Sequence, residues 1–335
     1  MGILNDNEDS RRNRSLERLS RDLGDNFLKK FNDPNLIEVM VNPSNEKNGN
    51  KLSIYWEYIG QPMVYDSELS NRFTPTLVEI IIKTISGYHD KVINADNPIL
   101  ECQFPLDHSR FTALIPPVSI SPSFVIRKRP KKIFTLDEYI SQGIMTLSQK
   151  QVIQNAVKAK DNILVVGGTG SGKTTLVNAV IKEMTEQDPN DRMYIAEDTG
   201  EIQCESKNIV NVYTTPDIGL TKLVRTALRL RPDRVIVGEV RGEEALDLLD
   251  VWNTGHPGGI ATLHANSAIL GLDRLEGLIS RNPAHPIEIR KLISQVINTI
   301  IFIAKEDGTR KIKEIIKVIG YDMKTKSFLT DNQIK

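Results

Sequence analysis

Gly167-Gly168-Thr169-Gly170-Ser171-Gly172-Lys173-Thr174 fits the spacing G-x-x-x-x-G-K-[ST], the residue set that wraps a phosphate chain. Its glycines let backbone N–H groups close round phosphate oxygens, and a helix starting there adds positive potential. Lys173 is placed to reach β- and γ-phosphates, and Thr174 to offer its hydroxyl to Mg²⁺. Gly168 through Thr175 are therefore the candidate nucleotide-binding residues. The competing reading is a glycine-rich turn without ligand. The local context argues against it: Asn162 to Val166 reads as a buried strand, and Leu176, Val177, Val180, Ile181 and Met184 line one face of a following helix.

Three further groups could act on a bound triphosphate. A strand from Met193 to Ala196 runs into Glu197-Asp198-Thr199-Gly200-Glu201. Carboxylates at the C-terminal end of a sheet strand border the ligand crevice of an open α/β sheet. There they could hold the water shell of Mg²⁺ or take a proton from attacking water. A second strand, Arg234 to Gly238, ends at Glu239, where many phosphate-binding-loop enzymes place an acid facing Mg²⁺. Gly238 stands where many of them have aspartate, so Glu239 suits a water-activating base and Glu197 or Glu201 the metal, with Glu197 or Glu239 the candidates to hold Mg²⁺ through water. A third strand, Gly258 to Leu263, ends at His264, a candidate sensor of the γ-phosphate. Arg225, Arg229 and Arg231, with Arg241 beyond Glu239, are candidates for stabilising charge on the transferring phosphoryl group, in trans if subunits adjoin.

The elements that must position these groups alternate from about Phe134 as helix, strand, loop, helix, strand, helix and strand, which implies a parallel sheet covered by helices. Thr299 to Ile303 and Ile312 to Ile319 flank Asp307-Gly308, a pair favoured in hairpin turns. Upstream lie short strand-like runs at Glu38 to Val41, Leu52 to Tyr55, Cys102 to Phe104, Arg110 to Ile115 and Phe124 to Ile126, with one apolar helix from Thr76 to Ile85. Leu16, Leu19, Leu23 and Phe27 have helical spacing in a charged segment, an amphipathic helix packed on its own domain or laid on a membrane surface. Pro116, Pro117 and Pro122 mark a rigid loop. Arg127-Lys128-Arg129-Pro130-Lys131-Lys132 reads as a solvated linker start or as a phosphate contact.

These divisions give an α/β protein: residues 1–130 a small N-terminal α/β domain with a helical start, 131–140 a linker, and 141–335 a RecA-like P-loop ATPase domain with a mostly parallel sheet. Two domains suit 335 residues at about 150 per domain. The 43 basic and 43 acidic residues cancel, so overall charge gives no pull toward nucleic acid, and direct DNA binding is not indicated. Cys102 and Cys204 form no C-x-x-C pair, which argues against disulfide or zinc frameworks and fits a reducing cytoplasm. No run approaches the roughly 18 apolar residues of a membrane span, and the polar start lacks a signal peptide. Met1-Gly2 is followed by Asp6 where myristoylation needs Ser or Thr.

Taken together, VVGGTGSGKTTLVNA, IAEDTGEIQC, ALRLRPDRVIVGEVRG and TGHPGGIATLHANSA resemble the four nucleotide-site motifs of the secretion traffic ATPases of type IV secretion and conjugation systems, closest to the TrbB-type conjugative transfer ATPases. The resemblance extends upstream through NPILECQFPLDHSRFTALIPPVS and FVIRKR and covers roughly residues 35 to 285. It implies a homohexamer binding ATP and Mg²⁺, each subunit holding ATP between its two domains. Lys173 and Thr174 would bind phosphate and metal, Glu239 and His264 would belong to the second and histidine boxes, and Arg110 and Arg127 would face the phosphates. It also implies partners among conjugation components at the inner membrane, with the protein cytoplasmic or peripheral on that membrane's cytoplasmic face. Two rivals remain: a pilus extension or retraction ATPase, many extension members of which carry a four-cysteine zinc module missing here, and a RecA-like nucleic-acid motor.

Overall fold

A computed structural model describes residues 2–44, 51–58, 61–128, 133–215, 217–306 and 309–334, with side chains described from residue 10 to 333 within them. The chain divides into two compact units, Met1–Lys131 and Lys132–Lys335.

The first unit opens with α1 (Gly2–Leu23) and α2 (Asp25–Phe31). Leu19, Leu23, Phe27 and Phe31 are buried on their inner side, so this amphipathic stripe packs within its own unit. There follow β1 (Leu36–Pro43), β2 (Leu52–Tyr58), β3 (Val64–Asp66), α3 (Ser67–Arg72), α4 (Pro75–Tyr88), β4 (Ile99–Gln103), β5 (Arg110–Leu114) and β6 (Ser123–Arg127). The strands form one antiparallel sheet in the order β3-β2-β1-β6-β5-β4. Alternate residues point inward along β2 and β5, which leaves one face for the helices. Thr74 caps α4 by accepting from the Leu77 N–H, and Pro75 occupies its first turn. An aromatic cluster of Phe27, Phe31, Trp56, Phe73, Phe104, Phe111 and Phe124 fills the core. β3 escaped the sequence reading because Val64 and Tyr65 are exposed on a three-residue edge strand with no inward alternation.

The second unit begins with α5 (Leu136–Ser141), where a linker was expected. Thr135 and Glu138 make a reciprocal capping box, and Leu136 and Tyr139 are buried in this unit's core, so residues 136–140 are structured and packed. The chain continues through α6 (Leu147–Lys158), β7 (Ile163–Val166), α7 (Lys173–Gln187), β8 (Met193–Glu197), β9 (Ile209–Tyr213), α8 (Leu220–Ala227) and β10 (Arg234–Val237). It closes with α9 (Glu244–Asn253), β11 (Ile260–Leu263), α10 (Ala268–Ile279), α11 (Ile289–Val296), β12 (Thr299–Glu306), β13 (Thr309–Asp322) and β14 (Ser327–Ile334).

The sheet order is β14-β13-β12-β7-β11-β10-β8-β9. Every pairing from β12 to β9 is parallel, while β13 and β14 add antiparallel strands at one side. Every residue of β7, β10 and β11 is buried, as a sheet with both faces covered requires. One core packs α8 to α11 on one face, and another packs α5 to α7 on the other. The Thr299–Ile303 and Ile312–Ile319 runs lie in β12 and β13 as expected, whereas their Asp307-Gly308 turn lies outside the described residues.

Candidate active site

Parallel strands bring their C-terminal ends to one edge, and that edge collects the expected residues. The phosphate-binding loop follows β7, His264 follows β11, Glu239 lies just beyond β10, and Glu197 ends β8. Since the strands lie side by side as β7-β11-β10-β8, the groups line up in that sequence. Lys173 donates to the Gly167 and Gly168 carbonyls at 2.9 and 3.0 Å, with His264 Nδ1 at 3.4 Å. On its far side, His264 Nε2 lies 2.9 Å from Glu239 Oε1. An ammonium has only donors, so Nδ1 accepts and Nε2 carries the proton toward Glu239. Burial, then the Lys173 charge, holds the His264 pKa below its ordinary value despite Glu239, so the ring is neutral at pH 7.

Glu239 is clamped from two directions, since Arg241 donates to its Oε2 at 2.6 Å. Burial alone would raise its pKa, but the Arg241 hydrogen bond and charge, with His264 and Lys173, outweigh burial and hold it below the usual carboxylate value. Arg241 also reaches Asp198 at 3.2 Å and so ties the second nucleotide box to the acidic turn. Glu244 fixes this segment by accepting from the N–H groups of Arg241 and Gly242 at 2.6 and 2.8 Å.

The acidic turn divides its labour. Glu197, only 3% exposed, accepts from the Glu201 and Ile202 N–H groups at 3.0 and 2.9 Å and thereby shapes the turn. Asn178 of α7 binds the same turn through the Gln203 N–H at 3.0 Å. Glu201 then reaches the first helical turn, its Oε2 3.5 Å from Thr174 Oγ1. Hydroxyl and carboxylate oxygens are hard donors that suit Mg²⁺, which keeps most of its water and phosphate ligands. The residues present fit that ion, with Thr174 direct and Glu201 or Glu197 through water.

Gly238 has a local reason. A Cβ there would stand 3.0 Å from Glu197 Cγ, because the neighbouring strand's carboxylate fills the space. The Glu197 side chain thus takes the room that a larger residue at position 238 would need. Gly238→Asp is expected to push Glu197 aside and lower turnover by about 10²-fold, a loss of the kind seen on removing one charge-stabilising group. Melting temperature and turnover of that variant, measured together, separate a displaced site from a failed fold.

Not every candidate meets the others. Arg231 precedes β10, at the strand's N-terminal end and exposed. The four residues of β10 span roughly 13 Å, so Arg231 lies at the opposite sheet edge from Glu239 and cannot serve its own chain's site. Of the expectation raised for Arg231, only action on another copy's site is left. Arg225 is held by Asp247 at 2.6 Å, beside Arg229 in an open groove. In the first unit, Arg110 and Arg127 are direct cross-strand partners on β5 and β6, with Glu38 opposite Arg127 on β1. Carboxylates stand beside the pair, Glu38 across from Arg127 and Glu101 at 3.8 Å from Arg110.

Arg310 was missed altogether. It lies 140 residues from the loop that it touches, donating from Nε to the Gly170 carbonyl at 3.4 Å, and no local pattern announces that contact.

The family described as "Type II/IV secretion system protein" matches residues 72–313. A probable conjugal transfer protein TrbB of Sinorhizobium fredii is 38% identical over 305 residues, which cover 91% of this chain and 90% of that protein. Among solved structures, the Legionella pneumophila ATPase DotB aligns at TM-score 0.60 and 20% identity over 89% of this chain and 80% of that one. The pilus retraction motor PilT, solved with bound ADP, aligns at TM-score 0.59 and 19% identity over 86% of this chain and 80% of that one. At these identities the two structures show a shared fold.

Proposed function

Because the chain belongs to the type II/IV secretion system protein family, we propose that it is the Mg²⁺-dependent, homohexameric ATPase of a conjugative type IV secretion apparatus. One observation carries the enzymatic part: Lys173, His264 and Glu239 form an unbroken series of contacts at one sheet edge. That series provides a phosphate-binding cation, a neutral ring able to report on the γ-phosphate, and a carboxylate to hold the attacking water. In-line attack of water on the γ-phosphate then depends on positioning and electrostatics more than on strong base chemistry. The Glu239 carboxyl, held below its ordinary pKa, suits orienting that water better than removing its proton early. Mg²⁺, when bound, would neutralise charge between the β- and γ-phosphates. Thr174 and Glu201 are the residues proposed to hold it, with Glu197 keeping their turn in place.

The conjugative assignment rests on the strong likeness to a TrbB protein over nearly the full length of both chains. The pilus branch is supported by a family that spans type II and type IV systems and by a shared fold with PilT. Arg110 and Arg127 are proposed as further phosphate contacts, and Arg231 as a residue acting on another copy's nucleotide. Partners are proposed among conjugation components at the cytoplasmic face of the inner membrane. No helix among the described residues is long and apolar enough to cross a membrane. Native mass measurement with Mg²⁺ and ATP tests the assembly. A species of six chain masses is expected, and a stable monomer under turnover conditions contradicts the ring.

A further inference from the structure

The β12–β13 strand pair packs against the phosphate-binding loop at two points. A side chain on Gly167 would run into the Ile303 carbonyl of β12. At the other end of the loop, the Arg310 Cδ of β13 lies 2.9 Å from where a Cβ on Gly172 would stand, and its Nε 3.2 Å. The Arg310 Nε also points at the Gly170 carbonyl, 3.4 Å away. Arg310 is directly opposite Lys305 in the hairpin, and both are exposed. Two cations opposed across strands repel one another unless an anion lies near. The loop beside them is built to hold one.

The sheet order says which part of the anion these cations would meet. β12 and β13 lie on one side of β7, while β11 and β10, which bring His264 and Glu239, lie on the other. The γ-phosphate belongs to the His264 and Glu239 side, so Arg310 flanks the part of the nucleotide that does not transfer. We infer that Arg310 is a nucleotide-positioning residue, its guanidinium bridging the Gly170 carbonyl and the α-phosphate end of the bound nucleotide. A guanidinium presents five donors in a fixed plane, so one N–H can hold the loop while the outer pair grips phosphate oxygens. This inference rests on the nucleotide reading above and adds a residue from an element that the reading did not include.

The test compares Mg²⁺-ATP and Mg²⁺-ADP affinity by titration calorimetry, with steady-state turnover, for wild type, Arg310→Ala and Arg310→Lys in the full chain. Arg310→Ala should weaken both nucleotides about tenfold, raise KM in step and leave kcat within about twofold, as loss of one charge-assisted contact made equally in ground and transition states predicts. Arg310→Lys should recover part of the affinity, since it keeps the charge without the planar fork. Unchanged affinity in Arg310→Ala overturns the inference while leaving the nucleotide reading intact. So does a loss confined to ATP, which would put Arg310 at the γ-phosphate, or a fall in kcat at constant KM. If wild type itself binds neither nucleotide, the underlying reading fails and the inference falls with it.

Discussion

Lys173→Ala removes ATP turnover, with an expected fall on the order of 10³-fold or more. Lys173 is 8% exposed and its ammonium meets the loop carbonyls and His264, so its charge is held where the β- and γ-phosphates would lie. Within a shielded site such a charge acts far more strongly than in water. The substitution leaves the Gly167 and Gly168 carbonyls short of a donor, which costs about 1–3 kcal/mol at most and should not unfold a unit with two buried cores. A circular-dichroism melt alongside a phosphate-release assay therefore reads the two effects separately. Folded protein with wild-type turnover would remove this loop from the chemistry.

Glu239→Gln should keep nucleotide binding and lower kcat by about 10²- to 10⁴-fold, the usual range for a group that handles the reacting proton or water. The amide keeps shape but loses the charge that Arg241 and His264 face, so both are released from their present geometry. Glu201→Gln should instead raise the Mg²⁺ concentration needed for half activity, since its carboxylate faces Thr174. The pH profile separates the roles further. The Glu239 pKa is lowered, so its carboxylate stays ionised down through the ordinary carboxylate range. The His264 pKa is also lowered, by burial and then the Lys173 charge, so the ring is neutral to lower pH than an ordinary imidazole. Wild-type kcat should accordingly be level from about pH 6.5 to 8, with any decline well below. A steep inflection at neutral pH would mean that another group controls the step.

Much of this site is legible in the sequence because its groups sit at the ends of strands. Buried parallel strands such as Ile163–Val166 and Arg234–Val237 read as short apolar runs, and the residue just past each run is delivered to the same edge. That logic brought Glu197, Glu239 and His264 to one edge, while the glycine-rich spacing singled out Lys173. It says nothing of which sheet edge Arg231 takes, and β10 carries Arg231 and Glu239 to opposite edges. It was silent on Arg310, because contact between a hairpin and a loop 140 residues away is made by tertiary packing alone. It took residues 131–140 as linker although Thr135 and Glu138 carry a capping box, a local signal that the neighbouring basic run obscured. The short edge strand β3 and the outer strand β9 lacked the alternation that marked their neighbours, since edges are packed on fewer sides.

The central claim is a ring motor that hydrolyses ATP at the edge formed by Lys173, His264 and Glu239. Mg²⁺-dependent ATP turnover per subunit, followed across a wide range of protein concentration with Lys173→Ala as the blank, tests it most directly. Specific activity that rises with concentration and levels off as the six-chain species fills is the result predicted. Turnover no greater than the Lys173→Ala blank in the presence of Mg²⁺, at concentrations where the ring is complete, would contradict it.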